Sequence, residues 1–305
     1  MPSVDFVIPA FNAAAHIEAT LAAIFDQHVP PWLDVGIVVA DAGSTDATAD
    51  VVRRYADRAV RQVTAATGQN RAAARNAGAA ASRADYLLLL DADCRLADAD
   101  CLGVAAAAIA AGIGAGFGYT TGAGEDLLSR YQARLEQRRR TAGWTGWTTA
   151  CCLVRRDLFE RVGGYSTDYE HYGFEDRDFV CRLRAEAPGE LHALPGLRAV
   201  HDGPRSLAEI RDKMYAAGRH TSGLFRDRFP DAYGELDYSR IDAATAAAPL
   251  RALLGIAAAL EPALLPIADR AAASRRLPLA IGVPLVRLAS AVAFYRGTRA
   301  RDRAS

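Results

Sequence analysis

Two aspartates one residue apart, Asp91 and Asp93, directly follow the apolar run Tyr86-Leu87-Leu88-Leu89-Leu90. At the end of a buried strand such a pair can divide its work. One carboxylate holds a divalent cation while the other reaches a ribose or a bound water. Hard cations with oxygen ligands suit diphosphates, because they bridge phosphate oxygens and neutralise charge. Asp-x-Asp is common in solvated loops, so it is the position after Leu87–Leu90 that points to a site. A second acidic cluster, Asp41-Ala42-Gly43-Ser44-Thr45-Asp46, closes the apolar run Val35–Ala40. Asp41, at the strand end, suits a ligand hydrogen bond; Asp46 suits a helix cap as well as a ligand contact. In Gly173-Phe174-Glu175-Asp176, adjacent acids follow a glycine among aromatics (Tyr165, Tyr169, Tyr172, Phe174). Acids favour a helix N-terminus without any chemistry. Beside aromatic faces they also suit a sugar ring and the removal of a hydroxyl proton. His201 ends a further apolar run. It is either a structural histidine or, with Asp93, half of a mixed site for Mn2+ or Mg2+.

These residues need elements to position them. Val4–Ile8 reads as a strand stopped by Pro9, and Asn12 suits the cap of a helix carrying Ile17, Leu21, Ile24 and Phe25. Val35–Ala40 is a second strand, followed by a helix through Val51, Val52 and Tyr55. A weaker strand near Val60–Val63 precedes a helix around 70–82, and Tyr86–Leu90 is too short for a helix but fits a strand buried on both faces. Alternating strands and helices predict a parallel sheet covered on both sides. Ligands of such sheets bind at the carboxyl ends of strands, where Pro9–Asn12, Asp41–Asp46 and Asp91–Asp93 all fall. Downstream, an Ala-rich helix and a Gly-rich strand occupy 98–118, and a charged helix Glu125–Arg140. A strand follows at Thr148–Val154, then Arg155–Val162 with the turn Gly163-Gly164. A last strand, Leu191–Val200, leads into His201-Asp202-Gly203-Pro204, and beyond Arg205 the chain reads as helical.

Composition narrows the classes. The 305 residues carry 36 Lys+Arg against 36 Asp+Glu, a balance that argues against a general nucleic-acid binder and an acidic disordered chain. The length allows one large domain or two modest ones. Five cysteines (Cys94, Cys101, Cys151, Cys152, Cys181) form no CxxC pair, which suits reduced thiols in a cytosolic compartment. The N-terminus enters a strand at once, without the basic and long apolar regions of a secretory leader.

In this order the segments resemble the family 2 glycosyltransferases of the GT-A fold. The resemblance is carried by Val7-Ile8-Pro9-Ala10-Phe11-Asn12, Asp41-Ala42-Gly43-Ser44-Thr45-Asp46, Ala74-Arg75-Asn76-Ala77-Gly78, Leu89-Leu90-Asp91-Ala92-Asp93 and Val162-Gly163-Gly164-Tyr165 with Glu175-Asp176. It covers roughly residues 4–204. It implies an α/β, Rossmann-like catalytic domain over 1–204 with a mainly parallel sheet and flanking helices. The nucleotide-sugar half spans about 1–118 and the acceptor half about 119–204, followed by a helical region over 205–305. It also implies transfer of a sugar from a nucleotide diphosphate, UDP in most relatives, to a hydroxyl acceptor in polysaccharide or glycoconjugate synthesis.

By position in the family, Pro9, Ala10, Phe11, Asn12 and Asp41 would line the nucleoside pocket. Arg71 and Arg75 would face the uracil or the diphosphate, and Asp91 the ribose. Asp93 would hold the metal, Mn2+ or Mg2+, and His201 matches a further metal-ligand position in galactosyltransferase-like members with a Gly-x-Glu-Asp motif. There the second acid is the base, hence Asp176, with Glu175 holding the acceptor. A base on the acceptor side and charge stabilisation on the leaving side fit direct displacement with inversion. Gly-Phe-Glu-Asp departs from the closest branch in lacking a preceding Trp-Gly-Gly. Trp144 and Trp147 lie upstream instead, where they would flank the acceptor with Tyr172 and Phe174, or simply pack. The alternatives are a sugar nucleotidyltransferase, for which Pro9–Ala14 lacks the Gly-rich, Lys-bearing phosphate loop, and an inactive nucleotide-sugar-binding protein.

The greasiest stretches, Pro249–Ala268 and Leu277–Tyr295, are interrupted by Arg251, Glu261 and Arg287 and contain no uncharged run of about 18–20 residues. Residues 271–305 hold seven Arg, Arg303 among them, against one acid, Asp302. A packed helical appendix, a dimer contact and an interfacial element at the inner face of a membrane all fit.

Overall fold

The computed structural model of the chain describes residues 1–302 apart from 59, 66–69, 123, 204, 205, 273, 275 and 276. Of the positions named above, Pro204, Arg205 and Arg303 lie outside the described residues. The chain alternates β1 (Ser3–Ala10), α1 (Ile17–Phe25), β2 (Asp34–Asp41), α2 (Thr48–Arg53), β3 (Val60–Thr64), α3 (Arg71–Ala81) and β4 (Tyr86–Leu90). It continues with β5 (Cys94–Leu96), α4 (Cys101–Ala110), β6 (Ala115–Gly122), α5 (Leu127–Arg139), β7 (Cys151–Arg155), α6 (Arg156–Arg161), α7 (Glu175–Glu186) and β8 (Leu191–His201). All eight strands join one sheet, in the order β3-β2-β1-β4-β7-β6-β8-β5.

β1 pairs in parallel with β2 and with β4, and β2 with β3. The chain therefore runs outward from β1 to β3 and returns to β4 on the other side. That reversal opens a crevice beyond the carboxyl ends of β1 and β4, the position where open α/β sheets bind ligands. β7 enters antiparallel to β4 and β6, and β5 antiparallel to β8. Leu87, Leu88, Leu89 and Leu90 are all fully buried, each contributing roughly 2 kcal/mol of hydrophobic stabilisation. This rigid strand sets the position of Asp91. α3 can press onto β1 and β2 because of Gly78: a Cβ there would meet Val7 Cγ1 at 2.6 Å and Ala40 Cβ at 3.3 Å.

Two features depart from the sequence reading. Asn12 caps no helix; it takes a left-handed φ of 48°, and α1 begins at Ile17 after His16 without a side-chain cap. β5, only three residues long, shows no periodicity that would announce it.

The chain divides into two compact units, one of residues 1–121, 136–170 and 175–202, the other of 122–135, 171–174 and 203–305. The second therefore takes in more than the expected 205–305. Its core explains why: Leu127, Leu128 and Tyr131 of α5 cluster with Leu207, Ala268, Ala272 and Val286. Its remaining helices are α8 (Leu207–Ala216), α9 (Ser222–Arg228), α10 (Pro230–Glu235), α11 (Ala248–Ala272) and α12 (Leu279–Asp302), with a π-helical turn at Ala217–Thr221. Among the described residues one helix, α12, is long and apolar enough over Leu279–Arg301 to cross a membrane, which the interrupted runs of the sequence did not suggest. Its packing is that of a bundle helix: Val286, Val292, Phe294, Tyr295 and Thr298 are buried.

Candidate active site

The loops after β1 and β2 are latched together. Asn12 N–H donates to Ser44 Oγ at 2.9 Å, and Asn12 Oδ1 accepts from Thr45 N–H at 2.8 Å. The left-handed Asn12 backbone is what turns its amide toward both partners. Asp41, buried at the end of β2, accepts from Ser44 N–H at 2.9 Å. Asp46 accepts from Thr48 N–H at 3.0 Å and Ala14 N–H at 3.1 Å. Although its burial works the other way, these bonds with the Thr48 hydroxyl hold its carboxyl below the usual range, so Asp46 starts a helix and ties a loop. Pro9 and Ala10 are the last two residues of β1, and Phe11 beside them is 36% exposed.

On the other side of the crevice stands a buried ionic centre. Asn70 caps α3 by accepting from Ala73 N–H at 2.9 Å, which presents Arg71 and Arg75 one turn apart. Arg75 is 3% exposed and reaches Asp91 Oδ1 at 2.7 Å and Glu175 Oε1 at 3.5 Å, with its guanidinium 5.1 Å from the Tyr165 ring. Burial opposes its charge, but Asp91, Tyr165 and Glu175 outweigh burial and raise its pKa. Rather than facing a ligand freely, Arg75 clamps Asp91 to Glu175. Glu175 is itself buried, and its Oε2 has no hydrogen-bond partner. Burial, with Asp176 next to it, pushes its pKa up despite Arg75 and Arg71. Asp176 is half-buried and accepts from Arg177 N–H at 2.8 Å.

Asp93 and His201 meet across 108 residues, Oδ2 to Nε2 at 3.2 Å. β5–β8 pairing does this by placing His201 opposite Cys94, and Asp202 N–H donates to Asp93 O at 2.9 Å. Burial works to raise the Asp93 pKa; the hydrogen bond and charge of His201, with Arg71, overcome it and lower the pKa. The carboxylate, the Cys94 thiol and the imidazole bring their ligand atoms within 4.8 Å of one another. An oxygen and a nitrogen about 3 Å apart match one edge of an octahedron with bonds of about 2.1 Å, so Asp93 and His201 fit a divalent cation. Burial, then Asp91 and Asp93, drive the Cys94 thiol well up, keeping it neutral and a weak donor. Cys94 follows Asp93 directly, but nothing in the sequence marks it as part of this cluster.

The aromatic residues sort differently from expectation. Phe174 is 4% exposed and enclosed by Phe225, Tyr233, Tyr238 and Phe294 within the second unit, a packing position and no sugar platform. Its φ of 69°, after Gly173 at 101°, is a conformation a bulky residue adopts only under such constraint. Tyr165 and Tyr169 are also buried. Trp147 stacks on Phe117 with centroids 4.4 Å apart, and Trp144 carries Arg184 4.2 Å above its ring; both pack against the core. Among the aromatics expected on the acceptor side, Tyr172 is the exposed one, at 40%.

Comparison with known proteins places this geometry. The family described as glycosyl transferase family 2 matches residues 5–163, and the N-terminal domain of galactosyltransferase matches 130–199. Validoxylamine A glucosyltransferase of Streptomyces hygroscopicus subsp. limoneus is 41% identical over 93 residues, 30% of this chain and 20% of its own length. Succinoglycan biosynthesis protein ExoA of Rhizobium meliloti is 27% identical over 190 residues, 58% of this chain and 56% of its own. The chain thus spans little more than half, at most, of these relatives. Among solved structures, mannosyltransferase PcManGT of Pyrobaculum calidifontis, in complex with GDP-Man and Mn2+, superposes with a TM-score of 0.60 at 22% identity, covering 97% of this chain and 87% of its own. Glucosyl-3-phosphoglycerate synthase of Mycobacterium tuberculosis, with Mn2+, UDP and phosphoglyceric acid, gives 0.53 at 17%, covering 73% and 78%. At such identities the likeness establishes the GT-A fold. With the family match extending over more than half of its residues, the chain belongs to the family 2 glycosyltransferases.

Proposed function

We propose that the chain is an inverting, metal-dependent glycosyltransferase that moves a sugar from a nucleotide diphosphate, UDP foremost, to a hydroxyl acceptor. One observation carries the reading. Arg71 lies within electrostatic reach of both Asp93 and Glu175, and Arg75 joins Asp91 to Glu175. The cation-binding side and the acidic side therefore share one neighbourhood.

In this reading Pro9, Ala10, Phe11, Asn12 and Asp41 hold the nucleoside at the ends of β1 and β2, and Asp91 meets the ribose. Asp93 and His201 hold the divalent cation, which when bound neutralises charge on the departing diphosphate. Arg71 adds positive charge to the same side. Arg75 is a positioning residue, fixing Asp91 and Glu175 together. The orphaned Oε2 of Glu175 is a buried polar atom awaiting a partner, and an acceptor hydroxyl supplies one. Asp176 takes that hydroxyl's proton as the oxygen bonds to the anomeric carbon. The bond to the diphosphate breaks and leaves its electron pair there, on the opposite face.

The solved structures of similar fold in complex with GDP-Man, UDP and Mn2+ support the donor class and the cation, and the likeness to succinoglycan biosynthesis protein ExoA supports polysaccharide synthesis. The test is to supply UDP-, GDP- and dTDP-sugars with Mn2+ and read the product by NMR. An α-linked donor is expected to give a β-linked product; an α-linked product overturns the inverting assignment. Without acceptor, slow Mn2+-dependent release of the nucleoside diphosphate is expected.

A further inference from the structure

Asp202, the residue after His201, is the meeting point of three segments of the sheet unit. Its backbone N–H donates to Asp93 O at 2.9 Å. Its carboxylate is engaged elsewhere: Oδ2 lies 3.0 Å from His16 Nδ1, and Oδ1 3.3 Å from Arg95 Nη2. An ionised carboxylate can only accept, so His16 carries its hydrogen on Nδ1. His16 closes the loop between β1 and α1, in which Asn12 is latched to Ser44 and Thr45. Arg95 is the middle residue of β5. α1 is tied to the turn holding Asp93 a second time, by the Thr20 hydroxyl on Ala92 O at 2.8 Å. Asp202 is not one of the three side chains, Asp93, Cys94 and His201, whose ligand atoms gather within 4.8 Å of one another.

The place of His201 in the sheet explains why such a junction matters. β5 is the edge strand and is 3 residues long. Its ladder with β8 ends at the pair Cys94–His201, and His201 is the last residue of β8. The end of a short edge ladder opens easily, whereas a cation needs its ligands held within about 0.5 Å of their working positions. We infer that Asp202 is a positioning residue for the cation pair. Tied to His16 and Arg95, it fixes the end of β8 so that His201 stays opposite Asp93, and it joins that pair to the loop after β1. The inference rests on reading Asp93 and His201 as the cation ligands. A stabilising role alone would give these bonds little weight, because partly exposed ion pairs contribute only about 0–1 kcal/mol. The effect of Asp202 therefore belongs in metal affinity and hardly at all in the melt.

Mn2+ is titrated into the full chain without nucleotide, and the free ion is read by electron paramagnetic resonance. The proteins are wild type, Asp202→Ala, His16→Ala, His201→Ala and the Asp202→Ala, His201→Ala double variant. Asp202→Ala is expected to weaken Mn2+ binding roughly tenfold although it removes no ligand, with little change of the thermal melt in EDTA. His16→Ala should weaken binding by a smaller factor, since Arg95 still holds Asp202. In the His201→Ala background, Asp202→Ala should change the affinity by less than about twofold, because its effect passes through the imidazole. A full tenfold loss in that background would make Asp202 a ligand in its own right or a general structural residue. Unchanged affinity of Asp202→Ala alone would make its bonds incidental. Either result overturns the inference and leaves the cation reading standing, as long as His201→Ala binds weakly. If His201→Ala binds Mn2+ as tightly as wild type, the cation reading fails and the inference falls with it.

Discussion

Each unit of the molecule buries acids against arginines, and the two do so to different ends. In the helical unit, Glu261 is 6% exposed and both its oxygens are bonded, Oε1 to Arg211 and Oε2 to Arg296. Asp242, fully buried, takes Tyr233 OH at 2.6 Å, Ala244 N–H at 2.9 Å and Arg301 at 3.2 Å. Every lone pair with a job has one. In the sheet unit, Glu175 shares Arg75 with Asp91 at a loose 3.5 Å, and its second oxygen bonds to nothing. Its pKa rises because it is buried beside Asp176. A satisfied buried pair holds elements together; an unsatisfied one costs stability, which the acceptor hydroxyl proposed above would offset. Both units use buried ions as bolts, the sheet unit at Asp178 with Arg182 and at Asp5 with Arg61, but at Glu175 the sheet unit leaves one open.

Breaking each kind of pair should separate rate from stability. The largest effect is expected at Asp176: Asp176→Asn should lower transfer about 10³-fold or more, while calorimetry finds nucleotide binding nearly unchanged. Loss of both together would mean a structural role. Next, Glu261→Ala strands Arg211 and Arg296 and should cost about 3–5 kcal/mol in urea unfolding, with kcat of the surviving folded enzyme close to wild type. His201→Ala should weaken Mn2+ binding roughly 10- to 100-fold and change the melt little without metal. The smallest effect is the sharpest in sign. Since the Glu175 pKa is raised in the fold, the stability present when it is protonated is lost as pH rises through that value. Glu175→Gln should therefore melt higher than wild type at neutral pH, the difference closing as pH falls below the ordinary carboxyl range. A lower melt for Glu175→Gln at neutral pH would place Glu175 with the bolts.

Much of the site could be read from the sequence because its signals are local. Apolar runs end in turn residues at Ala10, Asp41 and Leu90, and that alone puts three polar loops at strand ends. The pairings that organise the site are remote. Arg75 and Glu175 are 100 residues apart, Asp93 and His201 108, and the short β5 that aligns the latter has no periodicity to betray it. Aromatic residues mislead for a related reason. A tyrosine or phenylalanine has the same letter in a binding wall and in a core, so the burial of Phe174, Tyr165 and Tyr169 emerges only once their neighbours are in place. The same holds for α5, whose charged sequence hides the apolar face that joins the C-terminal helices.

If Asp93 and His201 hold a cation against the diphosphate of a bound nucleotide, nucleotide affinity depends on both the cation and the Asp93 carboxylate. Whichever of UDP, GDP and dTDP binds tightest is titrated by calorimetry into wild type with Mn2+, wild type with EDTA, and Asp93→Asn with Mn2+. Saturable binding is expected in the first, and affinity at least about tenfold weaker in the other two. Equal affinity in all three would contradict it.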